Sequence, residues 1–207
     1  MNLTEPASVA LSPATAAIYR VLAQADSPFT IRQLARVAGV SPNMAQSVVA
    51  KGAETGVVLT QPAGRSILCQ FNNEHLAASA IRDLVTLRAR MLAWLVEEFG
   101  RWEEPPLHAS LFGSAARGDG GTQSDLDILI VHGQPRSDAD VEKWHQQLFA
   151  TGTRTQRATG NPVNWLDVSL IELQDMRARQ EPILAELRRD SVRLVGDQFN
   201  VLLVEQS

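Results

Sequence analysis

Two aspartates one residue apart, Asp125 and Asp127, open the apolar run Leu126–Val131. If that run is a strand, alternation puts both carboxylates on one face, with Leu126 and Ile128 on the other. Two like charges so close repel unless a cation neutralises them. Oxygen ligands suit Mg²⁺ or Mn²⁺, and Mg²⁺ commonly completes its shell with substrate phosphates. Upstream, Gly113 lets the backbone come close to a ligand. Ser114, at a turn into a helix, offers a hydroxyl and N–H groups to a phosphate. Arg117 is a candidate phosphate contact, with a surface ion pair to Asp119 or Asp125 as the alternative. The chemistry these residues describe is a phosphate cradle beside a metal pair.

The elements that must position them follow from pattern. Leu107–Phe112 reads as a strand, a short helix opens near Ala115, and Gly118, Gly120 and Gly121 mark a loop before the second strand, Leu126–Val131. A helix is expected over Ala139–Phe149, with Val141, Trp144, Leu148 and Phe149 as its apolar face. A polar loop carrying Arg154 and Arg157 follows. Then come a strand at Val163–Ser169, helices at Leu170–Arg179 and Glu181–Arg189, and a last strand at Val192–Val195. Strands interleaved with helices imply an α+β domain with a mixed sheet flanked by helices. His108, His132 and His145 have no metal-ligand spacing among them.

Gly113-Ser114, ten intervening residues, then Asp125-Leu126-Asp127 in an apolar strand resembles the signature of the DNA polymerase β-like nucleotidyltransferase superfamily. With Arg117, Gly118 and Ser124 in place, residues 105–196 look like the minimal nucleotidyltransferases (MNT-type), some of which are antitoxins paired with HEPN-type toxins. The resemblance implies two-metal nucleotidyl transfer. Gly113, Ser114, Arg117 and Ser124 would bind the nucleotide, with Ser114 at its β- and γ-phosphates. Asp125 and Asp127 would hold both ions. That family uses a third carboxylate on a later strand, and the best match is Asp167, which would bind the ion at the nucleophile and help deprotonate an acceptor hydroxyl. The alternative is a strand-end aspartate capping the helix that follows. Two ions about 4 Å apart stabilise the attacking and leaving oxygens of an in-line displacement.

The amino-terminal part has its own organisation. Ser12-Pro13, Thr30 and Ser41-Pro42 are helix starts, Gly39-Val40 is a turn, and Gly56 is a helix stop. Val57–Gln61 and Ser66–Phe71 read as strands around the loop Pro62-Ala63-Gly64-Arg65. Residues 12–71 resemble winged helix-turn-helix regulators. The resemblance implies that the third helix enters a DNA major groove, exposing Ser41, Asn43, Gln46 and Ser47 to base edges, while Lys51 and Arg65 meet phosphate or the minor groove. Residues 1–71 hold five basic side chains and three acidic ones, a sparse endowment for phosphate contact. Protein contact, or a scaffold role, is the alternative. Asn72 to Trp102 reads as one long helix capped by Asn72 or Asn73. The expected division is therefore a winged helix-turn-helix domain at 1–75, a linking helix at 76–102 and a nucleotidyltransferase domain at 103–207.

Composition bounds these readings. The chain has 207 residues, 44% hydrophobic and 20% charged, with a net charge of −4, so nucleic acid, if bound, must meet a local patch. The single cysteine, Cys69, excludes a disulfide framework and a CxxC zinc site and fits a reducing compartment. There is no apolar run of about 18 residues, and no basic stretch precedes the apolar residues at the start, so a membrane span or secretory signal is not expected and a cytoplasmic location is. The leading expectation is an enzyme using Mg²⁺ (or Mn²⁺) to move NMP, most plausibly AMP from ATP, from an NTP to an acceptor hydroxyl on a protein or RNA. A toxin–antitoxin or defence operon, autoregulated by operator DNA bound through the winged helix, fits the resemblance. A HEPN-type toxin partner and a homodimer are carried with it. The alternative is a DNA-binding transcription regulator that keeps the nucleotidyltransferase fold as a nucleotide sensor. A small-molecule modifier ranks last, with only Glu103, Glu104 and Glu172 as loose candidates for an acidic acceptor cleft.

Overall fold

The computed structural model describes residues 1–133 and 137–203. The chain divides into two units, Glu5–Arg90, and Met1–Thr4 together with the chain from Met91 onward.

The Glu5–Arg90 unit runs α1 (Pro13–Ala23), β1 (Phe29–Thr30), α2 (Ile31–Ala38), α3 (Pro42–Glu54), β2 (Val58–Ala63), β3 (Ser66–Phe71) and α4 (Ala78–Val85). Helix starts sit where their capping chemistry is. Ser12 and Ser41 accept from the backbone N–H groups of Thr15 and Met44 ahead of first-turn prolines, and Thr30 forms a reciprocal capping box with Gln33. Gly39, at φ +69°, ends α2. Ile18, Leu22, Leu34, Val49, Val58, Cys69 and Phe71 form the core. The sheet is antiparallel in the order β1-β3-β2. Ala63 pairs with Ser66, so the turn is only Gly64-Arg65, and Pro62 and Ala63 belong to β2.

The expected helix over 72–102 is two helices. Asn72 is no cap: its amide donates to the Gly56 carbonyl and its Oδ1 accepts from the Glu74 N–H, which ties residues 72–77 into turns. Helix α4 closes at Thr86, whose hydroxyl donates to the Arg82 carbonyl at 2.7 Å, and α5 (Leu87–Phe99) follows. The division between Arg90 and Met91 falls inside α5.

The other unit is built on a four-stranded sheet, β6-β5-β4-β7, from β4 (His108–Phe112), β5 (Leu126–His132), β6 (Val163–Ser169) and β7 (Val192–Gly196). β5 and β6 are parallel; the other pairs are antiparallel, so the sheet is mixed. Helices cover both faces: α6 (Gly113–Arg117), α7 (Asp138–Thr159), α8 (Leu170–Ala178), α9 (Ile183–Asp190) and α10 (Phe199–Leu202). One face carries Ala109, Leu111, Leu126, Ile128 and Ile130 against Leu95 and Phe99 of α5 and Leu148 of α7. The other carries Phe112, Leu129, Val131 and Val168 against Leu173, Leu184, Leu187 and Phe199. Burial on both faces explains why β5 reads as a continuous apolar run. Among the described residues no helix is long and apolar enough to cross a membrane.

Helix α7 overturns the expected polar loop at Arg154 and Arg157. Thr151, Thr155 and Thr159 recur every four residues on a buried face, and the hydroxyls of Thr155 and Thr159 donate to the carbonyls four residues back. Such threonines satisfy themselves within the helix. Gly152 faces the Trp165 indole, where an added Cβ would stand in ordinary contact, 3.4 Å from Nε1. Arg154 does not reach outward as a loop residue. It pairs, with Arg101, to the fully buried Glu98.

His108 is buried in β4. Its Nδ1 lies 2.7 Å from the Asp197 carbonyl and its Nε2 2.9 Å from the Ser110 hydroxyl. Burial lowers its pKa below the ordinary value of 6.5. The unfolded chain therefore takes up the proton first as pH falls, and stability present above about 6.5 is lost below it until the folded imidazole itself protonates. Urea midpoints measured from pH 7 to pH 5 should fall, by no more than about 1.4 kcal/mol per pH unit from this group. In His108→Gln the fall should be shallower.

Candidate active site

The close approach of β4 and β5 makes the site. Phe112 pairs with Asp127 across the two strands, so Gly113 enters α6 directly beside the Asp127 carboxylate. Gly113 has φ +67°, and a Cβ there would stand 2.5 Å from Asp127 Oδ2. The backbone angle requires glycine, and a Cβ would push the Asp127 carboxylate aside. Asp127 Oδ1 accepts a hydrogen bond from Asn164 Nδ2 at 3.0 Å, across the parallel pairing of Asp127 with Asn164. Asp125, just before β5, is exposed. Ser114 is half-buried next to the turn at Gly120, where an added Cβ would stand 3.1 Å from Ser114 Oγ.

Asp167 does not join this group. It pairs with Ile130, three residues beyond the Asp127–Asn164 pair, and an odd step puts it on the opposite face. There both its oxygens accept from Trp144 Nε1 at 3.1 Å, and His132 Nε2 lies 3.8 Å from Oδ1. A pocket of about 400 Å³ opens beside it, lined by Glu104, His132, Asp140, Trp144 and His145 among others. Asp167 is not the cap of α8 either: Ser169 caps it, in a box with Glu172. The Ser169 backbone N–H holds the Glu172 carboxyl below its ordinary range. Asp167 is the best match to the family's third carboxylate, but the strand register places Asn164 beside Asp127.

The other residues expected at the nucleotide hold the framework. Arg117 pairs with Asp119 at 3.2 Å and Glu186 at 3.0 Å, with Asp190 at 3.7 Å, tying α6 to α9. Asp119 foremost, then Glu186, raises its pKa further. Ser124 Oγ accepts from the Gly121 N–H at 2.9 Å, and its carbonyl accepts from Asn161 Nδ2 at 2.9 Å. Asn161 is fully buried, and the same amide donates to the Met1 carbonyl. Thr4 donates to the Gly120 carbonyl from its N–H at 2.7 Å and from its hydroxyl at 3.0 Å, while Leu3 is buried against Gly120. Residues 1–4 and Asn161 thus brace the glycine loop between Ser114 and Asp125. No local pattern marks them, because their partners lie more than a hundred residues away in the chain or in an unrelated loop.

In the Glu5–Arg90 unit, Asn43, Gln46, Ser47 and Lys51 are exposed on α3, and Arg65 is exposed at the β2–β3 turn. The Ser41 hydroxyl is used as the α3 cap.

Asp125 and Asp127 together suit one divalent cation, as two carboxylates neutralise its charge. Among the described residues no three of His, Cys, Asp and Glu are grouped to hold a metal ion. Asp167, the third carboxylate expected beside this pair, lies on the opposite face of the sheet.

Residues 92–188 match the family model described as "Nucleotidyltransferase domain". No curated protein matches the chain. A solved structure from Sulfolobus solfataricus, described as "a putative nucleotidyltransferase", is 24% identical over 51% of this chain and 80% of that one, with a TM-score of 0.30. The class of protein that the family match supports over residues 92–188 is a transferase of nucleotidyl groups.

Gly113→Ala should lower stability by about 1–2 kcal/mol from the left-handed backbone angle alone, and by more from the displaced carboxylate. Denaturant titration checks the total. The larger loss should disappear when Gly113→Ala is combined with Asp127→Ala, because the oxygen in the way is then gone.

Proposed function

We propose that this chain catalyses divalent-metal-dependent nucleotidyl transfer, moving NMP, most plausibly AMP from ATP, to an acceptor hydroxyl on a protein or RNA. The observation that carries the reading is the fit of the Asp127 carboxylate against Gly113, beside Ser114, inside the segment that matches the nucleotidyltransferase domain. Asp125 and Asp127 would hold a divalent cation such as Mg²⁺ or Mn²⁺, which supplies charge stabilisation to the nucleotide phosphates when bound. The Ser114 hydroxyl donates to a phosphate oxygen. Gly113 lets the backbone lie against the phosphates without a side chain in the way. Because α6 has only five residues, its dipole adds little, and the hydroxyl and the backbone carry the cradle. In the reaction the acceptor oxygen bonds to the α-phosphorus, the bond from that phosphorus to the bridging oxygen breaks, pyrophosphate leaves, and the acceptor proton passes to a base.

The Glu5–Arg90 unit is read as a winged helix. The order of three helices and an antiparallel hairpin supports this, with β1 pairing on β3 as the third strand. Its exposed Asn43, Gln46, Ser47, Lys51 and Arg65 suit operator DNA. Autoregulation of a toxin–antitoxin or defence operon, with a HEPN-type partner, is the setting proposed for it. A second reading, a nucleotide-sensing transcription regulator, draws support from Asn164, an amide beside Asp127 where a carboxylate would help catalysis.

With α-labelled ATP and Mg²⁺ in a cell lysate, the wild-type protein should label an acceptor, while Asp125→Ala/Asp127→Ala should reduce labelling at least a hundredfold. Separation into protein, RNA and small molecules names the acceptor class. No label from any of the four NTPs, with ATP binding that depends on Ser114, would replace the enzyme reading by the sensor. Binding of duplex DNA should weaken with rising salt and in Arg65→Ala; absence of binding at low salt would remove the DNA role.

A further inference from the structure

We infer that the site holds one divalent cation per bound nucleotide rather than two, and that Asn164 sets this number. The inference rests on the nucleotide reading above and deepens it.

Two ions about 4 Å apart bring four positive charges into one small volume, so their ligands must be rich in carboxylate. Here the sheet supplies Asp125 and Asp127, and the neighbouring strand supplies a neutral amide. The orientation of that amide is fixed by chemistry. An ionised carboxylate only accepts hydrogen bonds, so Asn164 must turn its NH₂ toward Asp127 Oδ1, at 3.0 Å. The flipped amide would set oxygen against oxygen. The positive end of the amide dipole therefore faces the carboxylate, where a second cation would need negative charge. The other acids nearby are committed. Asp119 and Glu186 pair with Arg117, and Asp190 pairs with Arg189 and Arg117. The Arg189 guanidinium foremost, with Arg117 behind it, holds Asp190 below its ordinary range. Asp167 lies on the far face of the sheet with Trp144. Asn164 is thus a positioning residue: it orients Asp127 and keeps the site at one ion. It also offers no base, so the acceptor proton must leave to a group that β6 does not provide.

Counting bound Mn²⁺ by electron paramagnetic resonance, with a non-hydrolysable α,β-methylene ATP at saturation, tests this directly. The wild type should bind one Mn²⁺ per chain and Asn164→Asp two. Asp167→Asn should leave the count at one. Asn164→Ala should also keep one ion, bound several-fold more weakly because Asp127 has lost its donor. Two ions in the wild type, or a lost ion in Asp167→Asn, would overturn the inference. Nucleotide binding is read separately by calorimetry with the same analogue. If the wild type binds no nucleotide, the functional reading falls and this inference with it; if nucleotide binds with two ions, only this inference falls. Should Asn164→Asp fail to fold, the wild-type count and Asp167→Asn still decide the matter.

Discussion

The Asp127 carboxylate occupies the volume that a Cβ on residue 113 would need. That single close approach links the carboxylate proposed to bind metal to the backbone. It favours glycine at the entrance to α6, it requires β4 and β5 to pair in the register that sets Phe112 opposite Asp127, and it puts Ser114 next in line. A shift of one residue in that register would turn Asp127 to the other face. The apolar residues of β5 prevent this, since Leu126, Ile128 and Ile130 belong to one core and Leu129 and Val131 to another. The hydrophobic cores thus hold a polar site in place without touching its chemistry.

The pairing of β5 with β6 separates two polar residues of one strand. Asn164 and Asp167 sit three residues apart in β6. One bonds to Asp127; the other accepts from Trp144 on the opposite face, beside a pocket of its own. The proposed site combines Asp125 and Asp127 with the Asn164 amide. Its charge suits one divalent cation with a nucleotide's phosphates. On the proposed reading this geometry binds the nucleotide, and the base comes from the acceptor side.

The glycine loop between Ser114 and Asp125 depends on distant parts of the chain. Thr4 bonds to Gly120, and Asn161 bridges the carbonyls of Ser124 and Met1. Arg117, a candidate for a phosphate contact, ties α6 to Glu186 and Asp190 of α9. Loops that carry function gain precision when rigid elements position them. The first four residues belong to the unit they brace, and Glu5 begins the other unit.

Local chemistry was enough to read much of this from the residues. Ser-Pro caps, Thr30 and Gly39 mark their elements because cap and turn signals act over three or four residues, while the loop expected over Pro62-Ala63-Gly64-Arg65 shrinks to Gly64-Arg65. The strands of the mixed sheet stood out as apolar runs, and Gly113, Ser114, Asp125 and Asp127 stood out by type and spacing. What failed had non-local causes. Thr151, Thr155, Thr159 and Gly152 have the composition of a loop, yet burial of a threonine face and the Trp165 indole make them helix. Asn72 was spent on the Gly56 carbonyl rather than on a cap. The resemblance to the family favoured Asp167, but which β6 side chain stands beside Asp127 depends on pairing between two strands over thirty residues apart. Spacing within one strand determines which of its side chains share a face; only the tertiary structure decides the register between strands, because that register is set by packing of both cores at once.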